Sequence, residues 1–275
     1  MKICYNQATM MKHSTLELDL AFCEQHGYDL IEIRIDMLKD YLTRHTAAEL
    51  AAFFSGSHLK PYAFNGLECI NYRNAADYAA IKADLAFVCG LADKLHCHMV
   101  TMDPSFDVGH LTIGEIQTET VNVICDLAAA AEPFGVKLAF EFIGHPQCCI
   151  NTFGQGYNIV QAINRPNVGL ILDLFHFHAM GSSLDDLRRA DLDKIFMVHI
   201  NDVEDLPRGA CTDSDRLWPG EGAIDTDAIL RILCEKGYDG VYSLELFRPE
   251  YWEMDIEQAI QTGYDKTAAV LHRYY

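Results

Sequence analysis

Short apolar segments rich in β-branched and aromatic residues alternate along this chain with longer segments whose apolar residues recur at helical spacing. Short apolar runs are typical of buried strands, whereas apolar positions three and four residues apart are typical of one helix face. The alternation predicts strand–helix units around a parallel sheet. The predicted strands are Ile3–Asn6, Asp29–Arg34, Pro61–Asn65, His98–Met102, Val136–Phe142, Val168–Asp173, Ile195–Asn201 and Val241–Leu246. The predicted helices are Thr15–His26, Ala47–Ser57, Ala75–Asp93, Gly114–Ala131, Phe153–Asn164, Leu184–Ala190, Asp225–Glu235 and Ile256–His272.

Eight strands and eight helices are the elements of a (β/α)8 TIM barrel, and we expect residues 1–275 to form one such domain. Turn-forming residues support the boundaries, because EPFG at 132–135, NRPN at 164–167 and KG at 236–237 each lie where a predicted helix ends. A doubly wound open sheet is the alternative. The sequence contains neither a Gly-x-Gly-x-x-Gly motif after the first strand nor a Walker-type lysine loop, so it does not favour this alternative.

The net charge of −19 makes the surface acidic, and half of the residues are hydrophobic, which is the composition of a globular protein. An acidic surface repels nucleic acid phosphates and anionic membranes through long-range Coulomb forces. We therefore expect neither nucleic acid nor a membrane as a partner.

Ten cysteines are scattered along the chain without Cys-x-x-Cys spacing, so we expect free thiols rather than a zinc knuckle or a redox pair. The N-terminal segment MKICYNQATMMKHSTLELDL lacks the long apolar region and the cleavage site of a secretion signal. No run of about 18 apolar residues occurs, which a membrane helix would need. These features predict a reduced, soluble, cytoplasmic protein.

Acid and imidazole side chains stand at the ends of the last four predicted strands. They are Glu141, Asp173, His199 and Glu245. In a closed α/β barrel these strand ends meet at one mouth. Three carboxylates and one imidazole suit a single divalent metal ion such as Mn²⁺, Zn²⁺, Co²⁺ or Mg²⁺. Taken singly, each residue could equally be a polar group at a strand end, but the matched positions favour a metal site.

A metal ion with open positions can chelate a ketone and the neighbouring hydroxyl, and can stabilise the enediolate that forms when the adjacent C–H proton leaves. This is the hard step in interconverting hydroxyketones. Glu141 and Glu245 flank the predicted site, so one could remove the proton while the other returns it. We therefore predict that these two glutamates are catalytic.

Three loop residues are predicted substrate contacts. His176 lies three residues after Asp173, and Arg216 and Trp218 precede a Pro-Gly-Glu-Gly turn. Alternatively, His176 could be a structural histidine, and Arg216 could be a surface arginine beside a structural turn. Weaker candidates near strand ends are Asn6, Glu32, Arg34, Asn65 and Asp202, the last as a partner of His199.

Five segments around these residues are together highly specific: LAFEFIGHPQC, NVGLILDLFHFHAMGS, HINDVEDLP, RLWPGEGAID and SLELFRPEYW. The chain resembles the xylose-isomerase-like TIM-barrel superfamily, and within it the inosose isomerases of bacterial inositol catabolism. The resemblance implies one divalent metal on the four residues above, and substrate contacts at His176 and Arg216. It also implies interconversion of 2-keto-myo-inositol and 1-keto-D-chiro-inositol, with a small neutral keto-polyol as substrate. Related ketose epimerases carry a glutamate where this chain has Gln147, and a shorter segment before Arg216.

Other functions remain as alternatives. A ketose 3-epimerase or a dehydratase acting on a related sugar would use the same metal site. A phosphodiesterase of this fold would need a basic surface, which the net charge of −19 disfavours. A barrel that binds sugar without catalysis would not need the full set of four residues. A homo-oligomer is compatible with each of these functions.

Overall fold

Eight parallel strands close into a barrel in the structure, a computed structural model that describes residues 1–275. Each barrel strand pairs with the next barrel strand along the chain, and the last pairs with the first. The predicted (β/α)8 barrel is therefore confirmed, and the open-sheet alternative is wrong. The strands are β1 Lys2–Asn6, β2 Leu30–Arg34, β3 Lys60–Leu67, β4 Met99–Met102, β5 Lys137–Glu141, β6 Val168–Asp173, β7 Ile195–Ile200, β8 Asp202–Val203, β9 Arg216–Leu217 and β10 Val241–Leu244, of which β8 and β9 form a separate antiparallel ribbon.

The α-helices surround this barrel and include three short ones that the sequence analysis did not predict. These are α2, α7 and α10 in the following list, and with four to seven residues they are too short to show a helical repeat. The helices are α1 Leu16–His26, α2 Ile35–Tyr41, α3 Ala47–Gly56, α4 Ala75–Leu95, α5 Ile113–Ala131, α6 Phe153–Ile163, α7 Leu174–Ala179, α8 Leu184–Arg189, α9 Thr226–Lys236, α10 Pro249–Trp252 and α11 Ile256–Leu271.

Helix ends follow the local chemistry of the sequence. Thr46 and Glu49 form a reciprocal capping box at the start of α3. Asn164 follows α6 with φ 47°, and Gly237 follows α9 with φ 84°. Both conformations are left-handed, which glycine adopts without strain and asparagine tolerates. The turn-forming residues predicted at these two positions do follow helices, and each predicted helix end differs from the observed end by one residue.

The barrel interior is apolar at its N-terminal end. One buried residue from each barrel strand fills this layer, and together they form a separate core cluster. They are Cys4, Leu30, Ala63, Met99, Ala139, Ile171, Met197 and Val241. This layer closes the N-terminal end of the barrel. The buried polar side chains lie at the opposite end, which is formed by the C-terminal ends of the strands.

None of the helices combines the length and apolar character needed to cross a lipid bilayer.

Candidate metal centre

Four side chains from neighbouring strands converge at the mouth of the barrel. Glu141 and Asp173 end β5 and β6, His199 lies in β7, and Glu245 directly follows β10. Parallel pairing sets Asp173 beside His199, and all four residues are buried. One ligand atom from each lies within 4.8 Å of the others. The structure thus brings together the residues that the sequence predicted as one metal site, here called the four-residue cluster.

The imidazole of His199 lies at the centre of this cluster. Its Nδ1 is 2.9 Å from Oε1 of Glu141 and 3.1 Å from Oε2 of Glu245. The same nitrogen is 3.8 Å from Oδ2 of Asp173. At the other edge of the ring, Nε2 lies 3.1 Å from Oε1 of Glu32. When Nε2 donates its hydrogen to Glu32, the lone pair of Nδ1 faces the other three acids, as in a metal ligand with a supporting carboxylate.

The donor set fits a divalent cation. Carboxylate oxygens and an imidazole nitrogen are ligands that Mn²⁺, Zn²⁺, Co²⁺ and Mg²⁺ accept. With Glu32 included, four buried carboxylates surround the site, and they outnumber the two groups that can offset them, Arg216 and a protonated His199. Burying unmatched charge is costly. A cation held by the cluster would remove that penalty, so the residues present fit a divalent metal ion.

The electrostatics of the cluster separate its two glutamates. Burial raises the pKa of Glu141 to about 8, although His199 opposes the increase. Burial also disfavours ionisation of Glu245, but His199 and Arg216 outweigh it and lower the pKa of that carboxyl. At Asp173 burial is likewise outweighed, chiefly by Arg216, and the pKa falls to about 2. Two carboxyl groups whose pKa values are driven apart are suited to acid–base chemistry.

A cavity of about 220 Å³ opens above the cluster. We call it the mouth cavity, and its walls include Arg34, Asn65, Glu141, His176, Arg216 and Glu245. Two of the weaker sequence candidates, Arg34 and Asn65, therefore line the mouth. Asn6 lies deeper, where its Nδ2 donates to Oε1 of Glu245 at 2.8 Å. Asn6 and Glu32 thus contact residues of the cluster directly.

Arg216 reaches the cluster because the chain folds back on itself after β7. Val203 in β8 pairs with Arg216 in β9, and this antiparallel ribbon returns the chain to the mouth. The guanidinium becomes fully buried there. The segment between His199 and Arg216 forms this ribbon with its connecting loop.

Every nitrogen of the Arg216 guanidinium has a partner within the protein. Nη1 donates to Oδ2 of Asp173 at 2.8 Å and lies 3.3 Å from Oε2 of Glu245. Nε and Nη2 donate to Oδ1 of Asp213 at 3.0 and 2.8 Å. Nη2 also lies 3.2 Å from Nε2 of His176. These contacts support a positioning role for Arg216, and the substrate contact that the sequence predicted for it stays a prediction.

His176 occupies the first turn of α7 and lines the mouth cavity. Its backbone N–H donates to Oδ1 of Asp173 at 2.7 Å, so Asp173 also caps the helix that carries His176. Since the guanidinium of Arg216 can only donate, Nε2 of His176 accepts that contact and the neutral ring carries its hydrogen on Nδ1. Burial lowers the pKa of His176, which favours the neutral form. The ring lies at the wall of the mouth cavity, and the substrate contact that the sequence predicted for it stays a prediction.

Trp218 lies in a packing position, whereas the sequence predicted a substrate contact. It is absent from the walls of the mouth cavity. Its indole stacks on Tyr251 with ring centroids 4.2 Å apart and belongs to a buried apolar cluster that includes Met10 and Leu246. The physical reason is the short helix α10, which carries Tyr251 and covers the indole. This helix could not be anticipated from a periodic pattern.

Asp202 contacts the Pro-Gly-Glu-Gly turn, whereas the sequence suggested it as a partner of His199. Its Oδ2 accepts a hydrogen bond from the backbone N–H of Gly220 at 3.1 Å. Gly222 lies so close to the ribbon that an added Cβ would be 2.1 Å from the carbonyl oxygen of Val203. Asp202 and the glycines therefore hold the turn against the ribbon that carries the arginine.

Asn201 and Asp213 contact functional candidates although the sequence analysis did not single them out. Nδ2 of Asn201 donates to Oδ2 of Asp173 at 3.0 Å. Asn201 lies two residues after His199, so strand alternation, which puts such residues on the same face, could have indicated it. Asp213 reaches Arg216 through the conformation of a loop, for which the sequence carries no periodic signal.

Comparisons with known proteins agree with this fold. Residues 20–270 match the family model described as xylose isomerase-like TIM barrel. The inosose isomerase of Halalkalibacterium halodurans is 49% identical and covers 100% of this chain and 98% of that protein. The inosose isomerase of Bacillus subtilis is 47% identical, with 100% and 99% covered. A crystal structure of the IolI protein with a binding zinc atom has a TM-score of 0.97 at 47% identity, with 100% and 99% covered.

Proposed function

Because the chain belongs to the xylose isomerase-like TIM barrel family and matches inosose isomerases along its whole length, we propose that it is a metal-dependent isomerase of inositol catabolism. Its reaction interconverts 2-keto-myo-inositol and 1-keto-D-chiro-inositol. The observation that carries the proposal is the buried four-residue cluster at the mouth of a barrel that is 49% identical to a known inosose isomerase. The resemblance predicted from the sequence is confirmed by the same comparisons. We also propose that the protein is cytoplasmic and that residues 1–275 form one domain.

We infer that Glu141, Asp173, His199 and Glu245 hold one divalent metal ion. The zinc atom in the similar IolI structure supports this assignment, and the donor set also admits Mn²⁺, Co²⁺ and Mg²⁺. When bound, such an ion polarises a ketone and its neighbouring hydroxyl, which acidifies the hydrogen on the hydroxyl-bearing carbon.

Glu141 and Glu245 are the groups that move protons in this proposal. Oε1 of Glu141 contacts His199, and Oε2 of Glu141 has no hydrogen-bond partner in the protein. Glu245 is held at both oxygens, because Asn6 donates to Oε1 and Arg216 lies 3.3 Å from Oε2. The ionised carboxylate removes a proton from the hydroxyl-bearing carbon, and the other group, in its carboxylic acid form, delivers a proton to the former carbonyl carbon. The hydroxyl proton passes to the neighbouring oxygen, which was the carbonyl oxygen, so that the product is again a hydroxyketone. The two roles exchange with the direction of the reaction.

The proposal is tested by incubating the protein with 2-keto-myo-inositol in deuterated water, following the products by NMR and measuring the metal content of the same sample. We expect 1-keto-D-chiro-inositol with solvent deuterium at the new C–H position. Epimerisation of free ketohexoses with no action on the inosose would identify a ketose 3-epimerase instead. Loss of water from the product would identify a dehydratase.

A further inference from the structure

The carboxylates that line the mouth cavity differ in what they contact. Five carboxylates line it, and four of them lie within ion-pair distance of a histidine or an arginine. These four are Glu68, Glu141, Asp213 and Glu245. The fifth, Asp103, makes no ion pair with any lysine, arginine or histidine. A carboxylate without a cation in an acidic cavity needs another kind of partner.

Asp103 is held in a fixed orientation. It directly follows β4, and its Oδ1 accepts a hydrogen bond from the backbone N–H of Cys69 at 2.8 Å. Its own backbone N–H donates to the carbonyl of Leu67 at 3.1 Å, and its carbonyl accepts from Ile70 at 3.0 Å. The other carboxylate oxygen, Oδ2, makes no hydrogen bond within the protein. One oxygen therefore fixes the side chain, and the other is free at the wall of the mouth cavity.

The barrel geometry sets Asp103 beside the reacting groups. Met102 pairs with Phe140 in the parallel register of β4 and β5, so the next residues along each strand, Asp103 and Glu141, lie side by side at the mouth. Both residues line the mouth cavity. A molecule that fills the cavity above Glu141 is therefore also within the region that Asp103 lines.

We propose that Asp103 is a substrate-binding residue whose free carboxylate oxygen accepts a hydrogen bond from a ring hydroxyl of the keto-polyol. The inference rests on the proposed function and adds a specificity contact to it. Hydroxyl groups are the donors that a neutral polyol offers at every ring position other than the ketone. A sugar phosphate or a sugar acid would instead bring a second negative charge toward Asp103, which like-charge repulsion disfavours.

Burial and the nearby acids agree with this assignment. Burial raises the pKa of Asp103 to about 7, and the charges of Glu68, Glu245 and Asp213 add to the increase. The charged form is thus incompletely compensated in the free protein. A hydroxyl donor from the substrate would supply the missing hydrogen bond, and such bonds to charged groups are stronger than those between neutral groups.

The test is Asp103→Asn, because the asparagine oxygen can still accept from the N–H of Cys69 while the free oxygen becomes an NH₂ group. Initial rates are measured with 2-keto-myo-inositol and with analogues that each lack one ring hydroxyl. We expect the variant to raise KM about tenfold and to change kcat less than about threefold. One of the deoxy analogues should lose about tenfold in kcat/KM with the wild type but little with the variant, because the same hydrogen bond is already absent.

Glu68→Gln is the matched control, since it makes the same change from carboxyl to amide in the same cavity at a side chain that is 69% exposed. We expect this control to change KM less than about twofold, and all three proteins to bind equal amounts of metal. An unchanged KM for Asp103→Asn, or equal losses with every deoxy analogue in both proteins, would overturn the inference. Failure of the wild type to convert the inosose would refute the proposed function instead, and that result is independent of Asp103.

Discussion

Replacing Arg216 by methionine removes a buried cation and puts an unbranched apolar side chain in its place. The guanidinium is fully buried, and its Nη1 lies 2.8 Å from Asp173 and 3.3 Å from Glu245. Burial disfavours ionisation of Asp173, and Arg216 makes the largest contribution that overcomes it. Removing one partner of a buried ion pair costs about 3–5 kcal/mol, because the other charge stays buried and unpaired. We expect the metal-free variant to lose this much free energy of unfolding.

The assay is urea unfolding of metal-free protein followed by circular dichroism, with Arg44→Met as the matched control. Arg44 also contacts two acids, Glu17 and Asp40, but its side chain is 47% exposed. Exposed pairs contribute about 0–1 kcal/mol each, so the control should stay within about 1 kcal/mol of the wild type. Divalent metal should restore part of the stability lost in Arg216→Met, since a cation would again face Asp173 and Glu245. A loss below about 1 kcal/mol in the metal-free variant would refute this reasoning about charge balance.

Three further predictions concern the cluster. Glu245→Gln should abolish turnover, because an amide cannot take up or deliver the proton of the substrate carbon, but inosose binding should remain measurable by calorimetry. Unchanged turnover would exclude Glu245 from the mechanism. Glu32→Gln weakens the acceptor facing Nε2 of His199, so metal affinity in a chelator competition should fall about tenfold, and an unchanged affinity would contradict the supporting role. In metal-free protein the pKa of Glu141 is raised to about 8, chiefly by burial, so the folded state binds this proton more tightly than the unfolded state. Stability should therefore fall as the pH rises from about 4.3 to about 8. His199, whose pKa is also raised, acts in the same direction. Glu141→Gln should flatten this profile, and a rise of the wild-type unfolding midpoint across the same range would show that the sign is wrong.

The barrel strands could be predicted closely because each is a short apolar run bounded by turn-forming or polar residues. The predicted strand Val168–Asp173 has the same bounds in the structure. The last barrel strand was predicted two residues too long, since β10 ends at Leu244. Its apolar pattern continues through Leu246, which is also buried, but there it packs in the small cluster with Met10. Apolar character alone therefore does not mark the end of hydrogen-bonded pairing.

The sequence by itself determined the eight-fold alternation of strands and helices, and with it the position of Glu141, Asp173, His199 and Glu245 at the strand ends. Such an arrangement is encoded locally, because strand periodicity and parallel register bring equivalent positions to one edge.

Only the tertiary structure decided which loop side chains reach that edge. The ribbon after β7 buries Arg216 against the cluster, whereas two residues later Trp218 is covered by α10. Tertiary structure also left Asp103 without an ion-pair partner among the charged groups of the mouth. Loop contacts of this kind join residues far apart in sequence, and their partners depend on the three-dimensional path of the chain, which no local periodicity specifies.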